Sequence, residues 1–436
     1  MGSRTYCLTT FGCQMNDADS EMIDGILSAL GWRKIDSEND ADLVLFNTCV
    51  VRQGAEDRAI ARLERLKPIK RRHPRRIIGV CGCLAQQDGR RLLDRLPWVD
   101  LVLGTRALPR LAPLLHEHEA SGRPQVCVDL EGDPYDLPYE PKRGPGLVGR
   151  VNIIFGCNKN CSYCVVPKTR GRELSRPWKV ILNEIRSLVE SGRPEVLLIG
   201  QNVNSYRDGE VDLAGLLAKA DAIEGVERIR AITSHPRDAG EGQFRAIADL
   251  PHVCESLHLP VQSGSTRVLR RMFRGYSRER YLQKIDLLRK LVPHITLTTD
   301  IMVGFPGETE EDFQETLSLA REVRFDSAFM FIYSPRQGTA AAQWPNDVPL
   351  EVKKERLARL IDLQESISRQ RNRDLEGRRF EVLVERPAKR PPGAMAGRTR
   401  GDKTVVFPGS ADLAGRLIEV EIISSNGHTL FGRPSA

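Results

Sequence analysis

Apolar residues along the chain come in short runs separated by longer amphipathic stretches, an alternation that predicts strands and helices in turn. Residues 6–10 read as a strand. The helix after it carries Ile23, Ile26, Leu27 and Leu30 on one stripe, with Asp17 and Asp19 favouring its start and Gly31 closing it at C′. Further runs at 43–46, 77–80 and 99–103 are divided by charged helical stretches, which predicts an open parallel sheet with helices on its faces. The pattern weakens over 121–147. That stretch is rich in Pro, Gly and charge and reads as an interdomain connection.

Regular alternation resumes in six βα-type units, whose strands are marked by IIFGC, VLLIGQN, IRAITSHP, ESLHLPVQSG, LTTDIMVGFPG and SAFMFIYSP. Helices at 180–189 and 281–291 lie between them, and six such units predict an incomplete TIM-like (βα)6 barrel with functional groups at the C-terminal strand ends. After a cationic helical stretch at 351–373, short β runs at 380–385, 404–408, 417–423 and 429–431 predict a small antiparallel β-barrel of about five strands. The expected fold is therefore α/β throughout its first two parts. Its predicted division is an N-terminal domain over 1–120, a linker over 121–147, the central barrel over 148–371 and the terminal barrel over 372–436.

Length agrees with this division, since 436 residues exceed a single core at about 150 residues per domain. No run of eighteen apolar residues is present, so no membrane span is expected. MGSRTYCLTT lacks the apolar centre of a signal peptide, and Tyr6 stands where a myristoylation signal needs Ser or Thr, so a cytoplasmic location is expected. Net charge is +7, compatible with a nucleic-acid partner, and its distribution is uneven. Residues 62–76 carry eight basic side chains against one acidic, and Arg267, Arg270, Arg271 and Arg274 recur at the spacing of one helical face. Either set is an RNA contact or a solvated surface. The terminal barrel has eleven Lys and Arg against eight Asp and Glu, which suits a nucleic-acid grip or a structural cap. Arg398 and Arg400 are its candidate RNA contacts, because Gly397 and Gly401 are expected to bracket a turn that projects both outward.

Candidate chemistry comes from the ten cysteines, which in a reducing compartment point to metal ligands or buried apolar residues rather than disulfides. Cys157, Cys161 and Cys164 stand at CxxxCxxC spacing directly after an apolar run. Three thiols from one loop can hold three irons of a 4Fe-4S cluster and leave the fourth open to a small molecule such as S-adenosylmethionine. A structural zinc site is the alternative, but it wants a fourth Cys or His nearby. The next cysteine is Cys254, and His235 and His258 stand alone. Cys13, Cys49 and Cys83 each lie just past the end of a predicted strand, at the edge where open parallel sheets bind ligands. They are either a second set of three cluster ligands or small buried hydrophobes. Cys7, Cys81, Cys127 and Cys254 show no pattern. Polar, glycine-bearing strand ends at 200–202, 233–236, 262–264 and 304–309 suit close approach of backbone to a ligand, and Thr309 with Asp312 forms a capping box.

GCNKNCSYCVVPKTRGRE resembles the radical S-adenosylmethionine methylthiotransferases, and the resemblance covers almost the whole chain. GCQMNDADSE, NTCVVR and GCLAQ resemble that family's N-terminal domain. GQNVNSY, TSHP, HLPVQSGS and TDIMVGFPGETEEDF resemble its radical domain, and GRTRGDKTVVFPG its terminal TRAM barrel. The resemblance implies two 4Fe-4S clusters, a radical-generating one on Cys157, Cys161 and Cys164 and an auxiliary one on Cys13, Cys49 and Cys83. It implies S-adenosylmethionine as cofactor, with Tyr163 near its adenine. GCQMN is similar to the MiaB type, which acts on tRNA, whereas the type acting on a ribosomal protein usually has a GCSKN-like sequence there. The implied reaction is methylthiolation of carbon 2 of isopentenyladenosine beside the anticodon. Threonylcarbamoyladenosine in tRNA, a ribosomal protein, and a non-catalytic iron-sulfur RNA-binding role are the competing readings. An electron donor of unspecified identity is required, and a monomer is expected.

Overall fold

The computed structural model describes residues 4–50, 53–136 and 140–435. Val51 and Arg52 of the NTCVVR motif, the first three residues of the N-terminal segment and residues 137–139 of the expected linker lie outside the described residues.

The N-terminal strands are β1 (Thr5–Phe11), β2 (Arg33–Lys34), β3 (Leu43–Thr48), β4 (Ile77–Gly82), β5 (Leu101–Leu103) and β6 (Gln125–Cys127). They form one sheet in the order β2-β1-β3-β4-β5-β6 with every pair parallel. Helix α1 (Gln14–Ala29) covers one face through Ile23, Ile26 and Leu27, and α2 (Gln53–Arg72) covers the other through Ile60, Leu63 and Leu66. α1 stops as expected, with Leu30 at the cap and Gly31 at a φ of 80°. β6 falls inside the stretch expected to be linker. Its composition hid three residues that extend the sheet, with Val126 packed on the core.

All six predicted strands of the central region form: β7 (Val148–Phe155), β9 (Glu195–Gly200), β12 (Arg228–Ala231), β13 (Ser256–His258), β14 (Thr296–Val303) and β15 (Ser327–Ile332). Between them lie the short strands β8 (Leu174–Ser175), β10 (Arg207–Asp208) and β11 (Val211–Asp212). The six divide into a β12-β9-β7 sheet edged by β8 and a β13-β14-β15 sheet, joined by a single parallel bridge from Ile229 to Val253. Helices pack outside, with Ile181, Ile185, Phe313, Leu317 and Leu360 against Val196, Leu198, Ile301 and Val303. The result is a partial barrel, open between β8 and β15.

The terminal strands β16 (Arg379–Pro387), β17 (Ala394–Thr399), β18 (Thr404–Pro408), β19 (Leu417–Ser425) and β20 (Thr429–Pro434) close a barrel in the order β16-β17-β18-β20-β19. Its interior is Val382, Val384, Met395, Val405, Phe407, Val420, Ile422 and Leu430. β17 is the strand missing from the sequence pattern, because AMAGRT has few β-branched residues. Arg398 therefore sits in a strand rather than in a turn.

This barrel docks against the N-terminal ends of the central strands. Arg228, at the start of β12, donates to the Arg398 carbonyl at 2.7 Å and to the Glu381 carboxylate at 2.9 Å. Arg230 donates to the Arg400 and Thr399 carbonyls at 2.6 and 2.7 Å and pairs with buried Glu195 at 2.8 Å. Gly401 lies so close to β14 that a Cβ there would meet Thr296 Oγ1 at 2.3 Å. The expected outward projection of Arg400 is overturned: it makes two 2.8 Å bonds to the Glu255 carboxylate and a third to the Val253 carbonyl. Arg398 pairs with Asp402 at 2.9 Å. Carbonyls and carboxylates crowd this junction, and arginines from both sides satisfy them.

Removing one partner from such a buried pair costs about 3–5 kcal/mol, because the other charge is left uncompensated. Arg230→Ala is expected to lower the urea midpoint and to let trypsin release the terminal barrel at a dose that leaves the unsubstituted protein whole. An unchanged midpoint and digestion pattern would show that the junction does not depend on this arginine.

Candidate active site

Register places the first set of cysteines. Phe11, Thr48 and Gly82 are hydrogen-bonded neighbours across β1, β3 and β4, and the chain continues to Cys13, Cys49 and Cys83 within two residues of each. Parallel strands end on one edge, so three thiols distant in sequence arrive together. A polar frame fixes the edge: Asn16 donates to Asn47 Oδ1 at 3.0 Å and to the Thr48 carbonyl at 3.2 Å, while Asn47 donates to the Asn16 carbonyl at 2.8 Å. Gly82 has a φ of 89°, and a Cβ there would lie 2.5 Å from Asn47 Oδ1 and the Thr48 carbonyl, so no side chain fits before Cys83.

Within this set the electrostatics favour thiolate at Cys13. A hydrogen bond from Cys49 holds the Cys13 thiol down to about 6, with the Arg170 charge and the Asn16 and Met15 amides adding to it against burial. Burial pushes Cys83 up, and the Arg170 guanidinium, which hydrogen-bonds its sulfur, opposes that. Arg170 comes from the central domain. It donates to the Asp19 carboxylate of α1 at 2.6 and 3.2 Å, and both side chains are buried. Burial works against the two charges alike and pushes the Asp19 carboxyl up, while attraction to Asp19 and Cys83 carries Arg170 above its ordinary value.

The second set lies on the loop after β7. Gly156, at a φ of 76°, turns the chain into it, and a Cβ there would meet the Arg172 carbonyl at 2.1 Å. Ser162 anchors the loop by donating from its hydroxyl to the Arg271 carbonyl at 2.8 Å and from its amide to the Met272 carbonyl at 3.1 Å. Burial pushes Cys157 up to about 11 and Cys164 up to about 12. Cys161 is treated differently: Arg274 donates to its sulfur at 3.4 Å, and the ring Nε2 of His235 lies 3.8 Å away. Burial holds His235 down to about 2, with Arg274 and Lys159 reinforcing it, so the ring is neutral. Its Nδ1 accepts from the Arg237 amide at 3.2 Å, which assigns the proton to Nε2, facing the sulfur.

Several buried polar atoms at the neighbouring strand ends lack a protein partner, namely Gln201 Nε2, Asn202 Oδ1 and Ser234 Oγ. Thr233 and Gln262, at the same edge, hold a φ of 72°, which is costly for residues with a side chain. Unsatisfied donors and acceptors beside a three-thiol loop fit a polar small-molecule ligand such as S-adenosylmethionine. Among the described residues no three His, Cys, Asp or Glu side chains close around one point as a single-ion site does.

In the structure Cys13 interacts with Cys49 and Cys83, Cys164 interacts with Cys157 and Cys161, and Tyr163 lies within the second set, half-buried, its ring edge-on to Phe305 at 6.3 Å. The structure does not bring Arg398 or Arg400 near either triad. The expected basic face at 267–274 also dissolves: the helix Thr266–Arg271 ends early, Arg267 binds Asp312, Arg271 donates to the Pro306 carbonyl at 3.0 Å, and Arg274 is buried at Cys161. Sequence reasoning missed Arg170, His235 and Arg274 as site residues. Arg170 stands inside the TRGRE stretch and His235 inside TSHP, but their partners lie 151 and 74 positions away.

Known proteins resemble this chain along its whole length. The description Radical SAM superfamily matches residues 151–320, Uncharacterized protein family UPF0004 matches 5–104 and TRAM domain matches 373–434. The tRNA-2-methylthio-N(6)-dimethylallyladenosine synthase of Moorella thermoacetica is 46% identical over 437 residues, covering 98% of each chain. The protein of the same name from Carboxydothermus hydrogenoformans is 47% identical over 97% of each. Among solved structures, the radical S-adenosylmethionine methyltransferase TsrM of Kitasatospora setae, with cobalamin and a [4Fe-4S] cluster bound, shares the fold at a TM-score of 0.56 and 14% identity, covering 78% of this chain and 77% of that one. Three matched domains in this order, together with near-full-length identity, show that the chain belongs to the tRNA-2-methylthio-N(6)-dimethylallyladenosine synthase family.

Proposed function

We propose that this chain is a radical S-adenosylmethionine methylthiotransferase that adds a methylthio group to carbon 2 of isopentenyladenosine, the dimethylallyladenosine of its relatives' name, beside the anticodon of tRNA. The observation that carries this reading is the pair of three-cysteine sets at the strand ends of two adjoining sheets, joined by Arg170. Radical generation needs only one open-iron cluster, so a second set of three thiols points to a second task, and sulfur insertion is one that uses it. Threonylcarbamoyladenosine, a ribosomal protein and a non-catalytic role are not favoured, since the relatives named above carry the dimethylallyl activity in their names.

In this reading Cys157, Cys161 and Cys164 hold the radical-generating 4Fe-4S cluster, and Cys13, Cys49 and Cys83 hold the auxiliary one. When bound, the clusters and S-adenosylmethionine supply the radical that removes hydrogen and the methylthio sulfur that replaces it. The chain's own part is electrostatic and positional. Arg170 favours thiolate at Cys13 and Cys83, which must lose their protons to become ligands. Arg274 and neutral His235 direct N–H groups at Cys161, outer donors of the kind that stabilise a cluster thiolate. Gln201, Asn202 and Ser234 offer unpaired polar atoms to the cofactor, and the half-buried ring of Tyr163 offers a face to its adenine.

tRNA is the macromolecular partner. Arg400 is engaged at the domain junction and Arg398 is paired with Asp402 inside its own barrel, so the backbone contacts fall instead to the outer face of α2, where Arg65, Arg71, Arg72 and Arg75 are exposed at its C-terminal end and just beyond. An external one-electron donor and a monomeric state belong to the same reading. Among the described residues no helix is long and apolar enough to cross a membrane.

Anaerobically reconstituted protein is expected to hold about eight irons, as two four-iron clusters, and Cys157→Ala about four. Four irons in the unsubstituted protein would remove the auxiliary cluster from the account. The triple change of Cys13, Cys49 and Cys83 to Ala is expected to cleave S-adenosylmethionine to 5′-deoxyadenosine while forming no methylthio nucleoside by mass spectrometry. Undiminished product from that variant would mean those cysteines are structural.

A further inference from the structure

The inner face of the central barrel is covered on one side and bare on the other. On β9, Leu197 and Ile199 point inward and pack against Met15 and Ala18 of α1, while Val196 and Leu198 pack outward. On β14 and β15, Leu297, Ile301 and Val303, with Ala328, Met330 and Ile332, pack outward. Alternation then puts Thr298, Asp300, Met302, Ser327, Phe329 and Phe331 on the inner face, with Asp300 opposite Phe329 in register. α1 does not reach this half, and Phe329 is 54% exposed.

The surroundings of Phe329 are specific. The His258 ring stands edge-on to it at 6.1 Å, and His258 places Nε2 3.4 Å from the Asp300 carboxylate and Nδ1 2.9 Å from Thr298 Oγ1. Met302, two residues and about 7 Å further along β14, belongs to the apolar cluster that contains Tyr163 and Phe305. The bare face therefore runs up to the loop of Cys157, Cys161 and Cys164.

We propose that this face seats the target nucleobase, with the adenine ring turned out of the anticodon loop and stacked on Phe329. The inference rests on the tRNA-modifying reading above. Sequence-specific proteins recognise RNA loops by stacking unpaired bases on aromatic side chains and hydrogen-bonding their edges. Phe329 supplies an open aromatic surface, and leaving it in water without a ligand is unfavourable. Asp300 sets the chemistry of the occupant: a carboxylate repels phosphate but accepts from an N–H, and an adenine alkylated once at its exocyclic nitrogen keeps one such hydrogen. A base fits this face, and the sugar-phosphate backbone does not.

The test uses reconstituted holoenzyme and a prenylated anticodon stem-loop RNA. Phe329→Ala is expected to raise KM for the RNA about tenfold, the scale of one lost base–aromatic stack, and Phe329→Tyr to restore it. Iron content and RNA-independent cleavage of S-adenosylmethionine are expected to stay unchanged in both, which a merely structural role would not predict alongside the KM change. Asp300→Asn, which keeps the shape but halves the acceptor capacity, is expected to raise KM less. Normal product from the unsubstituted enzyme with an unaltered KM for Phe329→Ala would overturn the seat alone. Absence of methylthio product from the unsubstituted enzyme would overturn the tRNA reading and the seat with it.

Discussion

The buried pair of Arg170 and Asp19 is the contact on which the arrangement of the site depends. Arg170 stands at the end of the cysteine-loop segment of the central domain, and its guanidinium crosses to α1, where it meets Asp19 and the sulfur of Cys83. Two charges taken out of water do not gain stability as a rule, but a pair that loses one partner is penalised heavily. Only one relative placement of the domains therefore satisfies both. Neighbouring contacts enforce the same placement: Arg106 donates to the Arg170 carbonyl at 3.1 Å, and the Arg170 guanidinium lies over the Phe155 ring at 5.1 Å. A tether that is also an electrostatic partner of the Cys13 and Cys83 thiols makes docking of the domains and the charge state of that edge a single event.

The two cysteine sets receive unlike treatment. At the auxiliary set a permanent cation and helix-end amides lower the cost of thiolate at Cys13. At the CxxxCxxC loop, burial raises Cys157 and Cys164 although backbone amides are directed at both sulfurs, and Cys161 has side-chain donors in Arg274 and His235.

The C-terminal barrel occupies the opposite end of the central strands. In TIM-like folds the N-terminal strand ends serve stability and the C-terminal ends chemistry, and this chain follows that separation. Arg228, Arg230 and Glu195 are spent on the junction, as are Arg400 and Glu255. Cationic composition in the barrel thus overstated its free positive surface, because part of the charge is neutralised across the interface.

Local signals determined much of this protein. Hydrophobic periodicity gave the six central strands and the long helices, since each buries one face and its period shows in the sequence. The CxxxCxxC loop was legible because its three ligands are neighbours in the chain. Cys13, Cys49 and Cys83 were legible as strand-end residues, yet only the in-register ends of β1, β3 and β4 bring them together. The roles of Arg170, His235 and Arg274 belong to tertiary structure alone, as do the engagement of Arg400 and the bare inner face at Phe329. An arginine looks the same in sequence whether it faces water, a carbonyl or a sulfur. What decides is the partner that folding brings from a distant part of the chain, and the burial that makes leaving that partner costly.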